Sequence, residues 1–340
     1  MTDKKPFGIG FIGCGSYGQS LASAAAHSSK VRTAACYDPH KETADAFAEK
    51  YQVESCGKID QLLAKNDVQG VIIASPNNAH RENVQAAARA GKHLFVDKPI
   101  SNTLEDALAI IGAAESAGLT LAVGHNGRRL GGHRKMREMI DAGAVGTPVT
   151  VEANFSHSGG LGLTKSQWRF FRDQCPALPL MQLGVHFADT VQYLLGDVIE
   201  VCSFMSHVAT PADNEDVTVS LLKFENGLLG YLGSNYATPA VYYVNVYGTG
   251  GNLYCEGGGN LKYRKAGSRK LQTIELTGAD TQVEELEEFA LCVQTGNRFE
   301  VDGCAALKAL AVVRAALRSN ETGAAVRIDQ LIAEARKSRL

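Results

Sequence analysis

No two of the eight cysteines stand in a C-x-x-C pair, so nothing marks a zinc knuckle or a dithiol redox centre. Cys14, Cys36, Cys56, Cys175, Cys202, Cys255, Cys292 and Cys304 are scattered, several within strand or helix patterns. Reduced, mostly buried thiols in a cytoplasmic protein are expected. The nine histidines include no H-E-x-x-H and no paired ligand spacing, and no metal site is expected. Neither sign of charge dominates: 34 Lys and Arg stand against 36 Asp and Glu. That leaves no basic field for nucleic acid or for an anionic membrane. No stretch approaches the roughly 20 consecutive apolar residues of a spanning helix. Met1-Thr2-Asp3-Lys4-Lys5-Pro6 carries charge without an apolar run behind it, so no signal peptide is expected.

What the sequence does have is glycine in one telling place. A short apolar strand, Phe7–Ile12, runs into Gly13-Cys14-Gly15-Ser16-Tyr17-Gly18, and a helix-compatible stretch over 19–26 follows at once. This is G-x-G-x-x-G between a strand and a helix, the context in which it binds a dinucleotide. Gly13 permits the tight turn, Gly15 lets the backbone approach a pyrophosphate, and Gly18 lets the helix pack on the strand. Cys14, Ser16 and Tyr17 complete the loop, and the phosphates would sit at the positive helix N-terminus. A second apolar run, Val31–Tyr37, leads into Asp38, 20 residues past Gly18. An acidic residue there binds the adenine-ribose hydroxyls and repels a 2′-phosphate, which favours NAD over NADP. His40 and Lys41 lie close by. The plainer alternative is that Asp38-Pro39 caps the helix predicted over Lys41–Tyr51.

A length of 340 residues suggests two domains of about 100–200 residues each. Up to residue 125 strands alternate with helices: strands at Phe7–Ile12, Val31–Tyr37, 70–74, 93–96 and 119–123, helices including 79–90 and Leu104–Ser116. Gly91 and Gly118 follow the last two as C′ glycines, and Asn102 or Thr103 caps the second. This predicts an α/β Rossmann domain, a doubly wound parallel sheet, over 1–125. The pattern then changes. After a helix near 132–142, strand runs dominate at Pro148–Ser156, 198–208, 216–224, 228–235, 242–248 and 252–256. Helices fall at 184–195, 282–294 and 303–319. Glu225-Asn226-Gly227 suggests a hairpin with a type I′ turn. Residues 126–340 therefore read as an α+β substrate-binding domain on a large, mostly antiparallel sheet, whose final helices can pack back on the first domain. One face of such a sheet is often less covered by helices. Pairing through that face would give a homodimer or homotetramer.

Three more clusters stand at predicted strand C-termini, where doubly wound sheets bind ligands. They are Ser75-Pro76-Asn77-Asn78-Ala79-His80, Asp97-Lys98-Pro99 and Gly124-His125-Asn126-Gly127-Arg128-Arg129. In the second domain, Gln182-Leu183-Gly184-Val185-His186-Phe187-Ala188-Asp189 opens a helix. With the Trp168-Arg169 pair and the stretch from Asp302 to Leu307, these motifs run in the order and spacing of the Gfo/Idh/MocA oxidoreductases. The chain resembles that family, which includes inositol dehydrogenases and glucose–fructose oxidoreductase, over nearly its whole length.

The resemblance implies an NAD-dependent dehydrogenase acting on a secondary hydroxyl of a sugar, polyol or sugar derivative, with hydride transfer to nicotinamide C4. Lys98 matches the lysine of E-K-P, the proton donor or acceptor at the reacting oxygen and a contact of the nicotinamide ribose. A desolvated lysine beside a cationic cofactor has its ammonium form disfavoured, which suits that role. His186 matches the active-site histidine that shares the proton. Asn126 matches an asparagine near the nicotinamide. Trp168 and Arg169 are implied to lie over the cofactor and substrate, and His157 is a candidate substrate contact. Ser75, Pro76, Asn77, His80 and Asp97 join the expected cofactor contacts. The family usually has Glu where this chain has Asp97, a shorter reach. Inositol dehydrogenases carry Asp where this chain has Gln182. A helical turn would put Gln182 and His186, four apart, on one face. A neutral amide relays no proton, so Gln182 is assigned to orienting substrate or histidine. Arg128, Arg129 and Asp189 read as structural. Two alternatives remain open: a non-catalytic NAD-binding sensor of the same fold, and a sugar oxidoreductase that retains its cofactor.

Overall fold

Apolar runs long enough to be buried on both faces build the first sheet. The computed structural model describes residues 5–338; the first four residues of the N-terminal stretch, Met1 to Lys4, lie outside them. β1 (Phe7–Ile12) is buried along its whole length. It is followed by α1 (Ser16–Ala26), β2 (Val31–Tyr37), α2 (Lys41–Tyr51), β3 (Glu54–Ser55), α3 (Ile59–Leu63), β4 (Gly70–Ile73), α4 (His80–Arg89), β5 (His93–Asp97), α5 (Leu104–Ser116) and β6 (Leu121–Gly124). The strands lie in the order β3-β2-β1-β4-β5-β6, every neighbour parallel. The order reverses between β1 and β4, the switch point at which open α/β sheets bind ligands. The glycine turn leaves β1 there. Gly91 and Gly118 end α4 and α5 with φ of +69° and +63°. Each carries the paired backbone bonds of a Schellman motif, such as Lys92 N–H to Ala87 O and Gly91 N–H to Ala88 O.

The second compact unit comprises 102–105, 125–279 and the residues from 307 on. Its elements begin with α6 (Gly131–Asp141), β7 (Pro148–Ser156) and α7 (Val185–Leu195). The strands β8 (Val198–Ser206), β9 (Val217–Phe224), β10 (Leu229–Asn235), β11 (Val241–Gly248), β12 (Gly251–Glu256), β13 (Asn260–Lys265) and β14 (Gln272–Ile274) follow. The chain closes with α8 (Thr281–Thr295), α9 (Gly303–Thr322), β15 (Val326–Arg327) and α10 (Ile328–Lys337). Residues 280–306, which include α8, belong to the unit of the parallel sheet. There Phe289 meets Phe7 and Phe95 edge-on, with ring centroids 5.6 and 5.8 Å away.

The nine strands order as β14-β13-β12-β11-β7-β10-β9-β8-β15. Only β7 and β10 pair in parallel. Burial alternates along β9: Thr218, Ser220, Leu222 and Phe224 face inward, Val219 and Leu221 outward. The inward hydroxyls are satisfied among themselves and on backbone, as Ser203 to Ser220 at 2.9 Å and Ser234 to Phe155 O at 2.7 Å. The outward face carries Phe204, Leu221 and Leu229 at 74, 59 and 56% exposure. The β9–β10 hairpin differs from expectation. Gly227 has φ +87° while Asn226 does not enter the positive-φ region. Leu228 O accepts from Phe224 N–H, which closes a three-residue loop and rules out a type I′ turn. Among the described residues no helix is long and apolar enough to cross a membrane.

Candidate active site

In the glycine turn each glycine has its own geometric reason. Gly13 has φ +98°, and a Cβ there would lie 2.7 Å from the carbonyl of Ala74. A Cβ on Gly18 would lie 2.3 Å from Gly13 O, so only glycine lets α1 sit this close to the turn. Gly15 is the opposite case: a Cβ there meets nothing within 4 Å. Gly15 is the N-cap of α1, with no side-chain cap and no acidic residue in the first turn. Its exposed backbone leaves the helix N-terminus open to an anion, which fits a dinucleotide pyrophosphate.

Cys14 is fully buried and its thiol points to Tyr37 O at 3.6 Å, so only its backbone serves the loop. That N–H donates to Asp38 Oδ2 at 2.9 Å, and His40 N–H donates to Oδ1 at 2.9 Å. Asp38 is thus pinned at the end of β2 and does not cap α2, whose N-cap is His40. Ser16 is exposed in the first turn of α1. The Tyr17 hydroxyl is buried, and burial together with the Asp97 and Glu285 carboxylates pushes its pKa well up.

The loops after β4 and β5 are fastened together by His80, which is fully buried. Its Nε2 lies 2.9 Å from Ser75 O, and its Nδ1 lies 3.1 and 3.2 Å from Pro99 O and Ile100 O. Burial pushes the imidazole pKa down against these carbonyls. Ser75 Oγ also accepts from Asn83 Nδ2 at 2.9 Å. Pro76 precedes a 3-10 turn, Asn77–Ala79, in which Asn77 is buried. Asp97 Oδ1 accepts from Lys98 N–H at 2.7 Å. Lys98 is half-buried just past the end of β5, before a cis Pro99.

The second unit gathers another set. His186 lies in the first turn of α7, with its ring 5.8 Å from that of Phe155 and 6.3 Å from that of His125. His125 is buried and was not singled out in the sequence; its only signal was its place beside Asn126. A π-helical turn, Leu180–Gly184, precedes α7. Gln182 lies within that turn, and His186 in the first turn of the helix that follows it. Gln182 Oε1 accepts from Arg169 Nε at 3.0 Å, and its Nε2 lies 3.4 Å from Cys175 Sγ. The Arg169 guanidinium stacks over Trp168 at 4.6 Å. His157 Nδ1 accepts from Gly159 N–H at 2.9 Å. Burial lowers its pKa, which favours the neutral ring with the proton on Nε2. Its ring stands edge-on to Tyr236 at 4.6 Å.

Asn126 opens the turn Asn126–Arg129. That turn is bound to α7 by a two-pronged pair, Arg128 Nε to Asp189 Oδ2 at 2.7 Å and Nη2 to Oδ1 at 2.6 Å. Arg128 and Asp189 are structural, as their sequence context suggested. Among the described residues no group of three or more His, Cys, Asp or Glu could hold a metal ion.

Comparison with known proteins gives this arrangement its family. The NAD-binding Rossmann-fold model of the Gfo/Idh/MocA oxidoreductases matches residues 7–125, and the Gfo/Idh/MocA C-terminal domain matches 133–254. A 1,5-anhydro-D-fructose reductase of Ensifer adhaerens is 32% identical over 203 residues, 59% of this chain and 60% of that protein. A 2,7-anhydro-N-acetylneuraminate hydratase of Escherichia coli K12 is 29% identical, over 72% of this chain and 66% of that protein. The chain thus matches less than two thirds of the length of either. A solved structure from Desulfitobacterium hafniense DCB-2, carrying the name of an NADPH-dependent oxidoreductase, superposes with a TM-score of 0.92. It is 36% identical and covers 97% of this chain and 99% of its own. The chain belongs to the Gfo/Idh/MocA family of oxidoreductases.

Proposed function

We propose that the chain is an NAD-dependent dehydrogenase that oxidises a secondary hydroxyl of a sugar, polyol or sugar derivative. The observation that carries this reading is the open N-terminus of α1 at Gly15, flanked by Asp38. Gly13, Cys14, Gly15 and Ser16 would hold the pyrophosphate through backbone groups, and the Asp38 carboxylate the adenine ribose. Ser75, Pro76, Asn77, Asp97, Lys98 and Asn126 are the proposed contacts toward the nicotinamide, with His80 fixing the Ser75 and Lys98 loops from behind. When bound, the dinucleotide supplies the two-electron acceptor.

The chain's own task is position and proton handling. Lys98 accepts the hydroxyl proton or returns it in reverse, and His186 shares it. His125 and Phe155 pack against the His186 ring and limit its rotation. The two relatives named above act on anhydro-sugar derivatives by their names, which supports a sugar-derived substrate. The reductase supports redox chemistry. The hydratase favours a second reading, in which the cofactor is retained and the net reaction changes no oxidation state. The exposed Phe204, Leu221 and Leu229 support pairing with a second copy through the nine-stranded sheet.

The test is NAD reduction with a panel of aldoses, polyols and their derivatives. Wild type should turn over at least one, and Lys98→Ala should lose about 100- to 10,000-fold in kcat with NAD affinity retained. Undiminished turnover in Lys98→Ala removes Lys98 from the chemistry. Dinucleotide that survives dialysis selects the second reading.

A further inference from the structure

Among the described residues Arg169 makes no ion pair with a carboxylate. It is half-buried. Its Nε is spent on the neutral oxygen of Gln182, and its face on Trp168. The two Nη groups make no hydrogen bond or ion pair among the described residues. A carboxylate in place of the Gln182 amide would have neutralised the guanidinium; the amide orients it and leaves the charge intact. Stacking on Trp168 and the Nε bond hold the plane still, so the fork is pre-organised for a planar partner.

The neighbouring groups favour the same kind of partner. Arg169 is the positive charge acting on the Tyr236 hydroxyl, which has no hydrogen bond of its own among the described residues. His157, edge-on to Tyr236, uses Nδ1 as an acceptor and so presents Nε2–H as a donor. Phe155 links the His157 and His186 rings, with centroids 6.2 and 5.8 Å from its own. A contiguous run of side chains thus leads from Arg169 to the histidine assigned to proton handling. It presents donors, and no carboxylate among them.

We propose that Arg169 receives a carboxylate of the substrate through its two Nη groups, so that the substrate class is acidic sugars: uronates, aldonates and related hydroxy acids. Oxidation of that substrate rests on the function proposed above, whereas anion recognition does not. The same fork chemistry would also suit a phosphate of the dinucleotide.

The experiment is calorimetric titration of the NAD-loaded protein with matched pairs: D-glucuronate and D-glucose, D-galacturonate and D-galactose, D-gluconate and D-glucitol. NAD is titrated separately. In at least one pair the acid should bind about ten- to a hundred-fold tighter than its neutral partner, the range for charge-assisted hydrogen bonds. The gap should narrow with salt. Arg169→Gln should close it with NAD affinity unchanged, and Arg169→Lys should restore part of it. Gln182→Asp, which keeps Arg169 but supplies a counter-charge, should also narrow it. A purely structural role would weaken both members of a pair alike. Equal binding of acid and neutral partner in every pair overturns the proposal. So does a gap that survives Arg169→Gln, or a loss confined to NAD affinity, which would assign the fork to the cofactor. Arg169-dependent binding of the acid without NAD reduction supports the anion assignment and overturns the dehydrogenase reading alone.

Discussion

Replacing Gly15 by alanine separates the two jobs that glycines do in the turn. The added methyl meets no atom within 4 Å, and φ −68° with ψ −170° is open to alanine. Restricting the unfolded chain should stabilise by about 0.4–1 kcal/mol. Against this, Gly15 is the N-cap of α1, and alanine is a poorer cap by up to about 1 kcal/mol. The terms offset, so without cofactor the melting temperature should move by no more than about 2 °C. Cofactor binding is another matter. The methyl would project from the exposed backbone at the helix N-terminus, where a pyrophosphate must approach within hydrogen-bond distance. NAD at a hundred times its Kd should stabilise wild type by about 2.7 kcal/mol, and Gly15→Ala should lose most of that. Gly18→Ala should fail differently. Its methyl would lie 2.3 Å from Gly13 O, and the forced shift of α1 should cost about 1–3 kcal/mol with no ligand present. Thermal melts with and without NAD, and calorimetric NAD affinities, read all four cases. Undiminished NAD affinity in Gly15→Ala, or a large drop in its cofactor-free melting point, would refute the assignment of this turn.

Asp189→Ala should cost about 3–5 kcal/mol in urea unfolding, because it leaves the Arg128 guanidinium without the carboxylate it grips from a largely buried position. His133 is fully buried, with Nδ1 2.7 Å from Gly127 O, and burial pushes its pKa down to about 4. Its folded value lies below the unfolded one, so its contribution is whole above about pH 6.5 and is lost as pH falls toward 4. The slope should approach about 1.4 kcal/mol per pH unit. His133→Asn should flatten that part of a stability–pH curve, and an unchanged slope would contradict the assignment. Phe204→Lys combined with Leu221→Lys should yield monomers by light scattering if the open sheet face holds a second copy, with the melting point nearly unchanged because both side chains are exposed.

Most of the first unit was legible because its signals are local. β1 is a run of apolar and glycine residues, and Gly13, Gly15 and Gly18 follow within six positions. Gly91 and Gly118 mark helix ends by a conformation that L side chains resist. β3 and α3 were not legible, since two polar residues and a five-residue helix carry no period. The same holds for β13, whose Lys and Arg residues are largely exposed toward the sheet edge, and for the two-residue β15. In the second unit the strands were readable from alternation. The π-turn at Leu180–Gly184 was not, because it changes the helical repeat without changing composition.

The sequence by itself determined the glycine turn between β1 and α1, the acidic residue at the end of β2, and the two sheet types. Each depends on residues near one another along the chain and on a period of burial. Only the tertiary structure decided what the polar side chains do. Gln182 accepts from Arg169, thirteen residues away, a partner that helical spacing does not foretell. His80 is fully buried and ties two loops through backbone carbonyls. His125 meets His186 because the 126–129 turn is forked to α7 across sixty-one residues of chain. Such partners are chosen by the packing of distant elements, and the free energy of a buried charge or amide depends on which groups that packing brings within hydrogen-bond reach.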